Sequence, residues 1–320
     1  MAKDLARAYR ACARATRRRA RNFYFAFLSL RGAQRHAVYA LYAFCNEADC
    51  VADDGATAGK PAAAGESSVA TLSMGGLQEV RSGASNEGSD DLAARRDKLQ
   101  TMRERLAHAA RGTPETERDL ALADAIARFG VREADLRDVI AGVEMDLAPM
   151  HVETLDDLRT YCYRVASAVG LATLPILTGG ARPTDAAREA AIDLGLGMQY
   201  VNVLRDVDED LDLGRIYLPS AELAAHGVDP SQLAARRMTD RLRAALASHA
   251  ERARLHLDRG RLLLAHLPER SRACPWLLSE IYARILRRIV DGDYPVFEHR
   301  VALSATEKLW LLASSPWRRT

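Results

Sequence analysis

Apolar residues return every three or four positions along most of the chain. Val38, Leu41, Tyr42 and Cys45 form one such set, and Ile281, Ile285, Leu286 and Ile289 another. That spacing puts each set on one face of a helix, which completes a turn in about 3.6 residues. No stretch alternates apolar and polar positions with the period of two that a half-buried strand needs. Ala, Leu and Arg, which lose little freedom in a helix, recur throughout. The pattern predicts an all-α fold, one domain spanning residues 1–320.

Helix ends are signalled by Gly112 with Pro114, by Gly130, by Gly179 and Gly180 ahead of Pro183, and by Gly214 ahead of Pro219. One segment breaks the pattern. Of the 36 positions from 55 to 90, 20 are Gly, Ala or Ser and none is aromatic. Such a composition buries too little apolar surface to offset its ordering entropy, so it reads as a flexible low-complexity insert. A tolerated surface loop is the favoured role; a flap over a bound guest is the alternative.

A formal charge of +2 argues against a dedicated nucleic-acid surface, but the charge is uneven. Residues 1–21 hold Lys3, Arg7, Arg10, Arg14, Arg17, Arg18, Arg19 and Arg21 against Asp4 alone. This stretch runs unbroken into the aromatic "NFYFAFLSL" and reads as a first helix rather than a transit peptide. Its basic face is either solvated or rests on anionic lipid, and with the terminal "LWLLASSPWRR" it makes peripheral membrane attachment an expectation. For that terminal segment a buried Trp310 with a solvated tail is the competing account. The longest uncharged run, 17 residues between Arg164 and Arg182, contains Pro175 and is too short to span a bilayer. Five scattered cysteines without a CxxC pair argue for a reducing cytoplasm and against structural zinc.

Candidate chemistry lies in two acidic clusters. In "EADCVADDG", residues 47–55, Asp49 and Asp53 are four apart and share a helix face. In "QYVNVLRDVDEDLDLGRIYLP", residues 199–219, Asn202, Asp206 and Asp210 follow at the same interval, with Gln199 a turn earlier. Like charges at that spacing repel, and an oxygen-only ligand set suits a hard ion such as Mg²⁺, with Mn²⁺ a substitute. One such stripe is ordinarily a solvated face; two, each embedded in apolar sequence, favour metal ions held between facing helices. Mg²⁺ keeps open positions for phosphate oxygens, which points to a diphosphate guest. Arg205, Arg215 and Tyr217 are placed to take its remaining oxygens. For Arg205 an ion pair with Glu209 at i+4 is an equal alternative.

Five segments, "FYFAFLSLRGAQRHAVYALYAFCNEADCVADD", "GVEMDL", "YCYRVASAVGLATLPILTG", "LGLGMQYVNVLRDVDEDLDLGRIYLP" and "IYARILRRIVDGDYPVFEHRVALS", resemble squalene and phytoene synthases in content and order. The resemblance implies the isoprenoid synthase fold, helices around a deep hydrophobic cavity. It also implies head-to-head joining of two prenyl diphosphates through a cyclopropylcarbinyl diphosphate, to squalene, presqualene diphosphate or a phytoene-type product. Matched residue by residue, Asp49, Asp53, Asn202, Asp206 and Asp210 fall on metal-binding positions. Tyr42, Gln199, Arg215, Tyr217, Tyr282 and Arg300 fall near the diphosphates or the cation, and Asn22, Asn46 and Arg205 are further candidate substrate contacts. The catalytic set is then Tyr42, Asp49, Asp53, Asp206, Asp210 and Tyr217. NADPH enters only if the product is squalene. Among the apolar positions Phe23, Phe27, Val165, Val169, Leu171, Leu174 and Ile285, most are expected to be core and a few to line the tunnel. Gly170 and Gly179 either open space or permit close packing, the latter favoured for Gly179.

Two positions depart from the usual "CRExDDxxDE" of that family: Asn46 replaces its Arg and Cys50 its second Asp. Arg21 is a candidate to supply the missing charge. These departures keep a non-catalytic relative acting as an assembly factor among the readings, and another class I terpenoid enzyme is a third, although neither cluster reads DDxxD. Gly195-x-Gly197 has no preceding strand and no third glycine, so it is not a dinucleotide fingerprint. Substrate length and oligomeric state stay open.

Overall fold

The computed structural model describes residues 2–19, 21–53, 87–147 and 150–317. Helices α1 (Ala2–Arg19), α2 (Arg21–Phe27) and α3 (Gly32–Asp53) come first, then α4 (Glu87–Ala110), α5 (Glu117–Phe129) and α6 (Glu133–Met145). They are followed by α7 (Leu155–Cys162), a π-helical turn (Tyr163–Ser167), α8 (Ala168–Leu177) and α9 (Asp185–Arg205). Short helices α10 (Val207–Asp212), α11 (Ser220–Ala225) and α12 (Pro230–Ala234) lead to α13 (Asp240–Gly260). A 3-10 turn (Arg261–His266), α14 (Glu269–Asp291) and α15 (Ala305–Ser314) complete the fold. Among the described residues the only extended pairing is one isolated bridge, His151 to Ile216, so the chain is all-α. Of the low-complexity stretch, positions 55–86 lie outside the described residues, and Glu87 begins α4.

The helix starts follow from local chemistry. Thr116, Thr154 and Ser304 each accept from the backbone N–H three residues on, while Asp119, Asp157 and Glu307 bond back to the cap residue. These reciprocal caps satisfy amides that the first turn otherwise leaves open. Gly179 is a correction: at φ +73° it is required by the left-handed turn after α8, not by helix packing.

Two helices form the centre. α3 is buried from Ala37 to Cys45, packed against α1, α5, α6 and α8. α9 is buried from Leu194 to Arg205 and lies against α13 and the π-helical turn. A Cβ at Gly195 would sit 2.6 Å from Ser167 Cα, and one at Gly197 2.7 Å from the Leu257 backbone nitrogen. Both glycines therefore serve close helix contact.

Candidate active site

Helices α2, α3, α8, α9 and α14 line an almost wholly apolar cavity that is partly open. Phe23 and Phe27 line it from α2, Val38 and Tyr42 from α3, and Val169 and Gly170 from α8. Ala191, Leu194 and Met198 of α9 face Pro275 and Leu278 of α14. Phe23, Phe27 and Val169 thus line the cavity, whereas Val165, Leu171, Leu174 and Ile285 are buried core.

Three of the enclosing helices run the same way. Gln34, at the start of α3, donates to Ser271 Oγ at the start of α14 (3.1 Å). Arg300, just past the end of α14, reaches Asp206 at the end of α9 (2.8 Å). Each cavity-lining row becomes polar one or two turns further along. Val38 and Tyr42 lead to Asn46 and Asp49 on α3, Ala191 and Met198 to Asn202 and Asp206 on α9, and Leu278 to Tyr282 on α14. Residues at these intervals share a helix face, so the two acidic turns and Tyr282 stand at one end of the cavity.

α9 stops at Asp206, whose φ of −103° and ψ of 14° bend the chain into α10. Register survives the bend. The Asp206 N–H donates to Asn202 O (2.9 Å) and the Asp210 N–H to Asp206 O (2.8 Å). The acidic run also divides between two faces. Asp208 and Asp212 pair with Arg236 at the surface, while Asp206 turns inward.

Arg205 is only 4% exposed and grips the neighbouring carboxylate of Asp206 through Nε (2.7 Å) and Nη2 (2.6 Å). Neither expectation for it named this pairing; Arg300 lies 2.8 Å from the same carboxylate and 3.3 Å from Glu209. Burial pushes the Asp206 carboxyl up, but Arg205 and Arg300 outweigh it and hold it below the usual carboxylate value. Asp210 behaves oppositely. Its carboxyl rises well above the ordinary value through burial and then through Asp206; Arg215 offsets part of the rise, and Asp146 and Glu209 add to it.

Asp49 is 5% exposed, and Asn46 Nδ2 contacts Cys50 Sγ at 3.8 Å. Among the described residues the buried Oδ1 atoms of Asn22 and Asn46 have no hydrogen-bond donor. Gln199 Oε1 accepts from Asn202 Nδ2 (3.0 Å). Tyr42 and Tyr282 are fully buried. The side chains of Arg21 and Asp53 lie outside those described.

Two residues without a predicted role join the site. Asp146, buried at the end of α6, accepts from Tyr217 Oη at 3.1 Å and Tyr161 Oη at 3.4 Å, and its backbone carbonyl accepts from Arg215 Nη2 at 3.3 Å. The two phenol rings stack with centroids 4.8 Å apart. Burial pulls the Arg215 guanidinium down, yet Tyr217, Asp146, Tyr161 and Asp210 together raise it above its ordinary value, so it stays cationic. Asp146 sits in the quoted "GVEMDL" and Tyr161 in "YCYRVAS", but neither has the i, i+4 partner that drew attention to the acidic helices. The π-helical turn beside Tyr161, a feature frequent at functional sites, has no sequence signature of its own.

The donor set is oxygen throughout, and the mutual repulsion at Asp210 is what a divalent cation relieves. The residues fit such an ion. Among the described residues no three acidic, His or Cys side chains already converge on one point.

An all-α bundle with acidic turns at one end of an apolar cavity is the architecture of the isoprenoid synthases. The squalene/phytoene synthase profile matches residues 16–307, and the chain belongs to that family, a prenyltransferase of the kind that joins prenyl diphosphates head to head. It is 32% identical over 326 residues to the 15-cis-phytoene synthase of Synechococcus elongatus, covering 99% of this chain and 95% of that protein. It is 31% identical over 310 residues to phytoene synthase 1, chloroplastic, of Arabidopsis thaliana, covering 95% of this chain and 65% of that one. Similar solved structures include a dehydrosqualene synthase in complex with ligand (TM-score 0.79, 26% identity, 98% of this chain and 96% of that one). The squalene synthase HpnC from Alicyclobacillus acidocaldarius also matches (TM-score 0.74, 26% identity, 91% and 95% covered). No described helix is long and apolar enough to cross a membrane.

Proposed function

We propose that the chain condenses two molecules of geranylgeranyl diphosphate head to head, through a cyclopropylcarbinyl diphosphate, to a phytoene-type hydrocarbon. What supports the reading is that Asp49, Asp206 and Tyr282, all buried, continue cavity-lining rows of α3, α9 and α14 beyond an otherwise apolar cavity. The product assignment leans on the identity to phytoene synthases. Squalene or dehydrosqualene from farnesyl diphosphate is the second reading, supported by the solved relatives.

Asp49, Asp53, Asn202, Asp206 and Asp210 would hold Mg²⁺, or Mn²⁺ in its place, which when bound neutralises charge on the departing diphosphate. Arg215, Gln199, Asn22, Asn46 and Arg21 serve as diphosphate contacts in this reading. Arg300 and Arg205 act on it through Asp206. Tyr42, Tyr217 and Tyr282 present phenol rings and oxygens to the allylic cation, and π faces attract such a charge. With Asn46 in place of the family's Arg, one fixed positive charge is missing from this end of the cavity.

The test is incubation of purified protein and Mg²⁺ with farnesyl or geranylgeranyl diphosphate, with and without NADPH, followed by product mass analysis. Phytoene from the longer substrate without NADPH is expected, and chelation or Asp53→Ala should abolish it. Squalene requiring NADPH would move the assignment to the second reading, and no condensation with either substrate would defeat both.

A further inference from the structure

The outer side of α2 faces two open hollows that share Leu28. One, against α1, is bordered by Arg10, Arg14, Arg17 and Arg35 over a floor that includes Tyr9 and Tyr24. The other, against α15, carries Arg31 and Arg270 beside Leu309 and Trp317. Among the described residues lining the two hollows there is no carboxylate. Arg10, Arg14 and Arg17 are exposed and spaced to share one face of α1, and none of the six arginines pairs with a described acidic side chain. Elsewhere on this nearly neutral chain, surface arginines such as Arg236, Arg243 and Arg254 do pair with acids.

Helix α15, whose Leu309 borders the second hollow, exposes large apolar side chains. Leu309 is 50% and Trp310 59% exposed, which corrects the expectation of a buried Trp310, and Arg284 lies 5.2 Å over the Trp310 ring. Unpaired arginines beside exposed tryptophan and leucine suit the boundary between lipid headgroups and acyl chains: guanidinium meets phosphate, and the apolar groups leave water. α2 itself shows Phe23 and Phe27 to the cavity and Tyr24 to the first hollow, and Leu28, just past its end, borders both hollows.

We propose that the face built from α1, α2 and α15 docks on an anionic phospholipid bilayer, with Arg10, Arg14, Arg17 and Arg35 meeting lipid phosphates and Leu309 and Trp310 entering the acyl boundary. Docking there sets the outer wall of the cavity, α2, against the membrane. The assignment does not depend on which prenyl diphosphate the chain uses.

The test is co-sedimentation of the full chain with phosphatidylcholine vesicles made with and without phosphatidylglycerol. Binding only to the anionic vesicles, released by high salt, is expected. The triple variant Arg10→Gln, Arg14→Gln, Arg17→Gln should lose affinity on the order of a hundredfold. The pair Leu309→Ser, Trp310→Ser should lose about tenfold and keep the salt dependence. Turnover of detergent-dispersed substrate should be unchanged in both, which separates a docking defect from a damaged site. A chain that stays in the supernatant with anionic vesicles at low salt, or a triple variant that sediments like the parent, overturns the proposal. Arginine-dependent capture of duplex DNA without vesicle binding would overturn it in favour of a nucleic-acid surface.

Discussion

Tyr217 donates its phenolic proton to Asp146 across 3.1 Å, tying the segment after α10 to the end of α6. Tyr161 points at the other oxygen of the same carboxylate, so two stacked phenols are oriented by one buried acid. Asp146→Asn keeps the size and the backbone carbonyl that holds Arg215, but its amide cannot accept from both phenols. Turnover is expected to fall about tenfold or more, with KM little changed, because the loss concerns orientation during reaction rather than diphosphate capture. Steady-state kinetics beside a thermal melt check this; a rise in KM with constant kcat would refute it.

The buried trio of Arg205, Asp206 and Arg300 makes a second prediction. Asp206→Ala removes a proposed metal ligand but also leaves the Arg205 charge buried without its partner, at a cost of about 3 to 5 kcal/mol. Loss of activity in that variant is therefore not by itself evidence of metal binding. The double change Arg205→Met with Asp206→Leu should recover most of the lost stability and none of the activity. Urea unfolding and product assays on the two variants distinguish the structural effect from the catalytic one.

His249 sets a pH limit on the fold. Its Nε2–H donates to Tyr200 O (3.0 Å), and among the described residues its buried Nδ1 meets no partner. Burial, and then the nearby Arg252, pull its pKa from 6.5 down to about 4. The folded chain favours neutral imidazole, so this contribution is complete above pH 6.5 and is lost as pH falls toward 4. The total change is about 3 kcal/mol. His249→Phe should flatten the fall in unfolding free energy between pH 7 and pH 4.5 by about 2 kcal/mol or more. An unchanged slope would show that His249 is not the group responsible.

Much of this architecture is legible along the chain because a helix turns local spacing into spatial order. The Asn202, Asp206, Asp210 interval survives even the bend at Asp206, since the i, i+4 hydrogen bonds continue through it. The rule that puts Asp49 on one face with Tyr42 also makes it continue the row by which α3 lines the cavity. What spacing could not supply was pairing across the bundle. Arg205 was legible as a basic residue beside an acidic run, but its grip on the adjacent Asp206 was not, nor was the second cation on that carboxylate, Arg300, 94 residues beyond Asp206. Asp146 was quoted within a segment and given no role, because its two phenol partners lie 15 and 71 residues away. Whether Trp310 is buried, one of two accounts of the terminal segment, was open for a related reason. Its helix is apolar enough to suggest burial, and only the packing of α15 against α2 and α14 decides which side stays outside.

Two glycines on the cavity wall should respond differently to a side chain. Gly195 lies 2.6 Å from Ser167 Cα when a Cβ is added, and backbone on both sides leaves no flexible atom to yield. Gly195→Ala is expected to push α9 off the π-helical turn, costing about 2 to 3 kcal/mol of stability. At Gly170 the same Cβ meets only the Ala191 carbonyl oxygen, at an ordinary 3.4 Å, so Gly170→Ala should be neutral or stabilising by up to about 1 kcal/mol through helix propensity. A larger residue there reaches into the cavity beside Val169 and Met198. Gly170→Leu should therefore stay folded while lowering kcat/KM for geranylgeranyl diphosphate more than for farnesyl diphosphate, since the longer chain needs the volume that leucine takes. Thermal melts rank the two glycines, and competition between the two diphosphates reads the selectivity. Equal loss with both substrates would place Gly170 outside the space the prenyl chain uses.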